Sequence, residues 1–561
     1  MKKRLLIVGG VGGGAPCATR ARRLSEGSEI IVFDRGPYIS FANCGLPYYI
    51  GNVVGSEGEL ILATPELFKD LFGIEVRINS RVRSIDRGRR EIEVEDLSTG
   101  QEYRERYDAL VLSPGSKPVK PDFKGIHLPG IFTLRDIPDL RKIIDWIKGR
   151  TCETATIVGG GYLGLEMAEN LNNRGAHVSI VEMEEQLMPV LDPEMAAFVH
   201  DHLETLGITL YLKNRVCGFE PGSQNKISVN TESGKSWPAD LVVLAMGVVP
   251  EVDLANKAGL AIGASGGIRV DDQMRTSDAH IWAVGDAAEV NDYLTGAKRL
   301  IPLAGLASKQ GRIAAEVILG SDRPSPNFRG AQATAVCGVL GLTVAMTGAT
   351  EKIIRTFGPE SELSNYEKIY LHPPSHPLYY PETAVIHLKL IFSTGDGRIL
   401  GAQAVGRSGV EKRIDVISMV IQKNGTIFDL EEAELCYSPQ YGTAKDPVNL
   451  AGMAAGNVYR KQYSMVHWEE LGKSDALILD VRHPDKFAQG HVSGAVNIFL
   501  NKLLRERFTE LPKDREIWIY CIEGERSYYA ARILQHHGYK VKNLSGGYLM
   551  YQAFKKAKLI P

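Results

Sequence analysis

The chain has 561 residues with 65 basic and 67 acidic side chains, a net charge of −2, and ordinary apolar and charged fractions of 44% and 24%. At about 150 residues per domain this is a multidomain globular chain, and the charge balance gives no sign of a polyanionic partner such as nucleic acid. No run of about 18 or more apolar residues is present, so no membrane span is expected. Seven cysteines (17, 44, 152, 217, 337, 436 and 521) are scattered without a C-x-x-C pair, which argues against a disulfide framework, against a zinc site, and for a reducing cytoplasm.

The chain opens with "RLLIVGGVGGGAPCATRARRL" after three residues. The apolar run is too short for a signal sequence and reads as a strand, followed by a glycine-rich turn and a helix. A second strand, "EIIVFD", ends on Asp34. The order returns in "TATIVGGGYLGLEMAENLNNRGAHVSIVE", where Gly159, Gly161 and Gly164 complete a G-x-G-x-x-G and Glu182 follows Gly164 by 18 residues. Each stretch has the form of a dinucleotide-binding βαβ unit. The glycines let backbone approach the pyrophosphate, the helix N-terminus faces it, and the terminal carboxylate accepts from ribose hydroxyls. In the first copy Gly9 and Gly14 hold the outer places, but Val11 replaces the middle glycine.

Further on, "TSDAHIWAVGDAAE" reads as a polar turn, a strand and Gly285-Asp286. It resembles the segment of two-dinucleotide flavoproteins whose Asp bonds the ribityl chain of the flavin. That resemblance implies FAD on the first unit, a nicotinamide cofactor on the second, and hydride transfer between them. NADH is expected in preference to NADPH, because Glu182 repels a 2′-phosphate and the following "MEEQ" offers no cation.

Cys44 stands in "SFANCGLPYY" with no second cysteine close in sequence to form an internal disulfide. A single cysteine beside a flavin has three uses: a sulfenic acid, a mixed disulfide with a small thiol, or a persulfide. Over residues 1–450 the chain resembles the coenzyme A-disulfide reductase family, whose active cysteine has this setting. The resemblance implies catalysis by Cys44 and a homodimer in which tyrosines of a third domain reach the partner's cysteine site. Tyr379 and Tyr380 lie in "SHPLYYPE", and Tyr437 and Tyr441 in "CYSPQYGTAKDPVNLAG"; Tyr380 and Tyr441 are the favoured proton donors. "GAQAVGRSGVEKRIDV" resembles the start of a dimerisation helix. The family likeness also makes Arg20, Arg23, Ser40 and Asn43 candidates for binding coenzyme A, as substrate or bound cofactor, although Pro16 stands where a hydroxyl residue often occurs.

The last hundred residues restart with "ALILDVRHPDKFAQGHVSGAVNI" and "EIWIYCIEGERSYYAARILQHHGYKVKNLSGGYLMY". They resemble the rhodanese family, with Cys521 on a turn closed by Arg526 and its sulfur expected near the surface. Backbone N–H groups and a helix N-terminus would stabilise its thiolate or persulfide. Glu523 and Glu525 make the loop acidic, which disfavours thiosulfate.

The expected fold class is therefore α/β: two Rossmann-like domains, an α+β dimerisation domain and a C-terminal α/β rhodanese domain. The expected limits are 1–112 with 246–325 for FAD, 113–245 for NAD, 326–452 for dimerisation, and 462–561 for rhodanese. The expected activity is NADH-dependent reduction of coenzyme A persulfide or polysulfide, with Cys436 a candidate waypoint for sulfur. The alternatives are a coenzyme A-disulfide reductase, an NADH oxidase or peroxidase, and a non-redox sulfur relay.

Overall fold

The computed structural model describes residues 2–320 and 326–560; the expected limits at 1, 325 and 561 lie outside these. The chain divides into two compact units, Met1–Val181 with Asn214–Ala333, and Glu182–Lys213 with Thr334–Pro561.

The first unit holds a parallel five-stranded sheet in the order Ile281–Ala283, Ala109–Leu112, Arg4–Val8, Glu29–Phe33, Glu75–Arg77. Its central strands are continuous apolar runs because both faces are covered. The helix Gly14–Leu24 packs on the helix Ala304–Leu319. A Cβ on Gly311 would stand 2.2 Å from the Gly13 carbonyl oxygen, so only glycine permits that approach. Val8 pairs with Leu112 and Leu112 with Ala283, which aligns the carboxyl ends of three strands. Gly9, Ser113 and Gly285-Asp286 thus emerge along one edge, the usual ligand edge of a parallel sheet. A second parallel array in this unit joins Ile131–Phe132, Leu241–Leu244, Thr154–Val158 and His177–Val181.

In the second unit an antiparallel sheet runs in the order Ala335–Val339, Leu342–Gly348, Ile399–Gly406, Ile386–Ser393, Tyr366–Leu371. The helix Val410–Gln422 lies on it. The C-terminal domain is a parallel sheet in the order Met465–Val466, Val541–Leu544, Ile517–Tyr520, Leu477–Asp480, Val496–Asn497.

A buried ionic knot ties residues 192–194 into this unit. Lys389 Nζ is fully buried and donates to Asp192 at 2.7 Å, and to Glu194 and Glu351 at 2.5 Å each. Lys368 bridges Glu351 at 3.0 Å and Glu469 at 2.5 Å. Burial alone would lower the Lys389 pKa, but Glu194, Asp192 and Glu351 hold it well above the usual value. The three carboxylates come together as a metal-ligand set would, and the ammonium stands among them. Among the described residues no helix is long and apolar enough to cross a membrane.

Candidate active site and sulfur-carrier loop

The first glycine turn is shaped by close approach. Gly9 has φ +91°, and a Cβ there would fall 2.1 Å from Ser113 O; one on Gly14 would fall 1.8 Å from Gly9 O. The helix Gly14–Leu24 begins without a side-chain cap, leaving its first N–H groups for an anion. Asp34, at the end of the second strand, accepts from Gly10 N at 3.0 Å and Gly36 N at 2.8 Å. Burial raises its pKa against the pull of those two bonds. Asp286 Oδ2 accepts from the Ser116 hydroxyl at 2.8 Å and lies 3.7 Å from Arg135. In the second turn Gly159 has φ +110°, with no room for a Cβ beside Ala245 O, while at Gly161 a Cβ would meet open space. The helix Tyr162–Asn173 is likewise uncapped by side chains. Both turns therefore fit a dinucleotide: each is tight against its own fold and opens onto a helix start without a side-chain cap. Glu182 is buried and accepts from Glu184 N at 3.0 Å.

Cys44 lies in a 3-10 turn, Asn43–Gly45, that runs into the short helix Leu46–Ile50. Asn43 Oδ1 accepts from Cys44 N at 3.0 Å and lies 3.7 Å from its Sγ. The thiol is exposed in the single chain. Its pKa is raised, first by desolvation, then by the charge of Glu166; Arg135 opposes the shift and Asp286 adds to it. No local sequence pattern marks Glu166. It follows the last fingerprint glycine by two residues and accepts from the Tyr48 hydroxyl at 3.4 Å. Burial, with a smaller push from Glu169, takes its carboxyl up to about 7 against that hydrogen bond. Arg174 donates to Ile50 O at 2.8 Å and Asn52 Oδ1 at 3.0 Å. The cysteine helix is thus fastened to the end of the second fingerprint helix. All seven cysteines are free. Cys17, nearest to Cys44 in sequence among the upstream residues, is fully buried, with its thiol pushed up to about 12 by desolvation, a poor resolving partner.

The other candidates differ in availability. Arg20 is held by Glu316, at 3.0 Å from Nε and 2.8 Å from Nη2, whereas Arg23 is exposed. Ser40 is buried. Tyr379, Tyr437 and Tyr441 are exposed, and Tyr379 is hydrogen-bonded to Tyr437. Tyr380 packs edge-on against His376, with ring centroids 5.5 Å apart. Behind these loops the buried Arg413 donates to Ser375 O at 3.0 Å, Tyr441 O at 3.2 Å and Asp446 Oδ2 at 2.9 Å. Cys436 is exposed.

In the C-terminal domain Cys521 directly follows the strand Ile517–Tyr520 and precedes the helix Glu525–His536. Gly524 N donates to its Sγ at 3.1 Å, and the Ser527 hydroxyl lies 3.5 Å away. The expectation that this sulfur sits near the surface is corrected. The Cys521 side chain is only 1% exposed, because the loop curls over it, while Glu523, Glu525 and Arg526 stand outside. Desolvation, then Glu525, raises the Glu523 pKa.

Comparison with known proteins agrees with this architecture. Residues 3–311 match the pyridine nucleotide-disulphide oxidoreductase model, 334–446 its dimerisation domain, and 466–554 a rhodanese-like domain. Coenzyme A disulfide reductase of Staphylococcus aureus is 31% identical over 452 residues, 81% of this chain and 99% of that protein. The crystal structure of reduced Bacillus anthracis CoADR-RHD matches with TM-score 0.94 at 42% identity, covering 99% of this chain and 98% of the other. A NAD-dependent persulfide reductase from A. fulgidus matches with TM-score 0.90 at 36% identity, covering 98% and 100%. The family implies FAD and a nicotinamide cofactor, and the two fingerprint turns have the shape to take them. The chain belongs to the pyridine nucleotide-disulphide oxidoreductase family, as an enzyme with a dimerisation domain and a C-terminal rhodanese domain.

Proposed function

We propose that the chain is a homodimeric, cytoplasmic, NADH-dependent reductase of sulfane sulfur, acting on coenzyme A persulfide or polysulfide through Cys44, with Cys521 as sulfur carrier. The observation that carries this reading is the presence in one chain of two unlike thiols. Cys44 is exposed and has no resolving cysteine; Cys521 is covered and receives a backbone N–H. A disulfide reductase or an NADH oxidase has no evident need of the second.

Gly9, Gly14, Asp34 and Asp286 would hold FAD, and Gly159, Gly161, Gly164 and Glu182 would hold NADH. Bound FAD would supply the relay by which a hydride of NADH becomes the two electrons needed by a disulfide at Cys44. The Cys44 thiolate attacks the inner sulfur of a persulfide; the S–S bond of the substrate breaks, hydrosulfide leaves, and a Cys44–coenzyme A disulfide forms. Two electrons and one proton then return Cys44 as thiolate and coenzyme A as thiol. We assign the proton to Tyr380 or Tyr441, with the hydrogen-bonded neighbours Tyr379 and Tyr437 as the alternative in each cluster. Arg23 leads for the coenzyme A phosphates, Arg20 being held by Glu316.

The test is NADH consumption and sulfide release with coenzyme A persulfide, polysulfide, coenzyme A disulfide and oxygen as acceptors. Cys44→Ser is expected to stop release while NADH still bleaches the bound flavin; release at the wild-type rate refutes the mechanism. Cys521→Ser is expected to spare coenzyme A persulfide and slow donors that pass through the carrier loop. Faster reduction of coenzyme A disulfide than of any persulfide would assign this chain the activity of its staphylococcal relatives instead.

A further inference from the structure

The carbonyls of the Cys521 turn are turned away from the sulfur. Tyr548 N donates to Cys521 O at 2.8 Å and Leu549 N to Ile522 O at 3.1 Å, both from the first turn of the helix Gly547–Lys556. With its carbonyls held there, the turn directs Gly524 N inward to Sγ. What holds the helix start is Ser545-Gly546-Gly547, and it is filled on both sides. A Cβ on Gly547 (φ +62°) would lie 2.7 Å from Cys521 O and 2.8 Å from Gly524 N; one on Gly546 (φ +70°) would lie 2.7 Å from Tyr370 Cβ. Tyr370 and His372 belong to the dimerisation-domain sheet and the residue just past its edge strand. Tyr370 N donates to Ser545 Oγ at 3.2 Å, and His372 Nε2 is 3.0 Å from Gly546 O.

The tautomer follows from the acceptor. A carbonyl only accepts, so His372 Nε2 carries the hydrogen. Its Nδ1 therefore accepts from His387 Nδ1 at 2.8 Å, and His387 stacks on Phe198 at 3.8 Å. Desolvation lowers the His387 pKa to about 4 and keeps that of His372 well below its ordinary value, so both rings are neutral at neutral pH.

We propose that the dimerisation domain completes the sulfur-carrier site, with His372 the positioning residue that fixes Gly546 and, through it, the N–H cradle of Cys521. The inference rests on reading Cys521 as the sulfur carrier, but its test uses no sulfane donor and judges His372 whatever becomes of that reading. The probe is methyl methanethiolsulfonate, a small reagent that places a methylthio group on a thiolate and releases methanesulfinate. Its rate at Cys521 is followed by peptide mass spectrometry in the full-length protein with FAD bound.

His372→Leu is expected to slow labelling at pH 7 about tenfold, the factor set by losing one aligned N–H to a thiolate. The loss should shrink near pH 10, where a thiol ionises unaided. His372→Gln places an amide donor where Nε2 stood, and is expected to restore the rate to within about twofold of wild type. Flavin reduction by NADH should be unchanged in both variants and serves as the folding control. Equal loss at pH 7 and pH 10, equal loss in the Gln and Leu variants, or no loss in the Leu variant each overturns the proposal; should the Leu variant not fold, a Gln variant slowed tenfold does the same.

Discussion

Replacing Arg413 by Ala removes the brace behind the two tyrosine loops. The guanidinium is 1% exposed and donates to Asp446 through Nε at 3.3 Å and Nη2 at 2.9 Å, to Gly409 O through Nη1 at 3.0 Å, and to Ser375 O and Tyr441 O through Nη2. Asp446 is 2% exposed and also caps the helix Pro447–Tyr459 through Val448 N. Removing one partner of such a pair leaves a buried carboxylate uncompensated, at about 3–5 kcal/mol. For a unit of this size that lowers Tm by about 6–20 °C. Arg413→Lys keeps the charge but cannot span the same set of acceptors, and is expected to fall between. Because Ser375 O and Tyr441 O lie on the loops that carry the tyrosines, the Ala variant should also lose sulfide release while keeping NADH-dependent bleaching of the flavin. Differential scanning calorimetry and a sulfide assay read the two effects. A Tm within about 2 °C of wild type would refute the brace.

Two further outcomes are expected. Glu182→Gln combined with Met183→Arg should shift preference from NADH towards NADPH, since a repelling carboxylate is replaced by a cation for the 2′-phosphate; equal use of both cofactors by the unaltered protein contradicts the premise. Glu166→Gln should move the pH profile of Cys44 alkylation to lower pH. Glu166 titrates at about 7, so in the range where Cys44 ionises it is a carboxylate, and its charge raises the Cys44 pKa; removing that charge lowers it. A profile unmoved or displaced upward would show that Glu166 does not act on the thiol.

What was legible in the sequence is what the chain decides over short distances. Gly14 must clear the carbonyl of Gly9, and Gly164 that of Gly159, so glycine spacing announces both turns. Cys44 and Cys521 are marked by their immediate neighbours. Glu166 is different: its hydroxyl partner is 118 residues away, and the His372 bond to Gly546 spans 174. No local pattern encodes such pairs. The choice between adjacent tyrosines in "LYY" was equally hidden, because an irregular loop has no periodicity to say which ring turns inward against His376. The covering of Cys521 depends on how its loop curls, which residue types alone do not fix.

The ionic knot around Lys389 has a consequence for how the chain is made. Asp192 and Glu194 leave the ribosome 197 and 195 residues ahead of the ammonium that neutralises them. Domains fold largely as they emerge, but a segment with two carboxylates destined for a dry interior cannot close until its counter-charge has been synthesised. Residues 182–213, which belong to the second unit, must therefore wait in solution while the first unit forms. A nascent chain stopped short of residue 389 carries its acids exposed, and is distinguishable to a protease from a finished one.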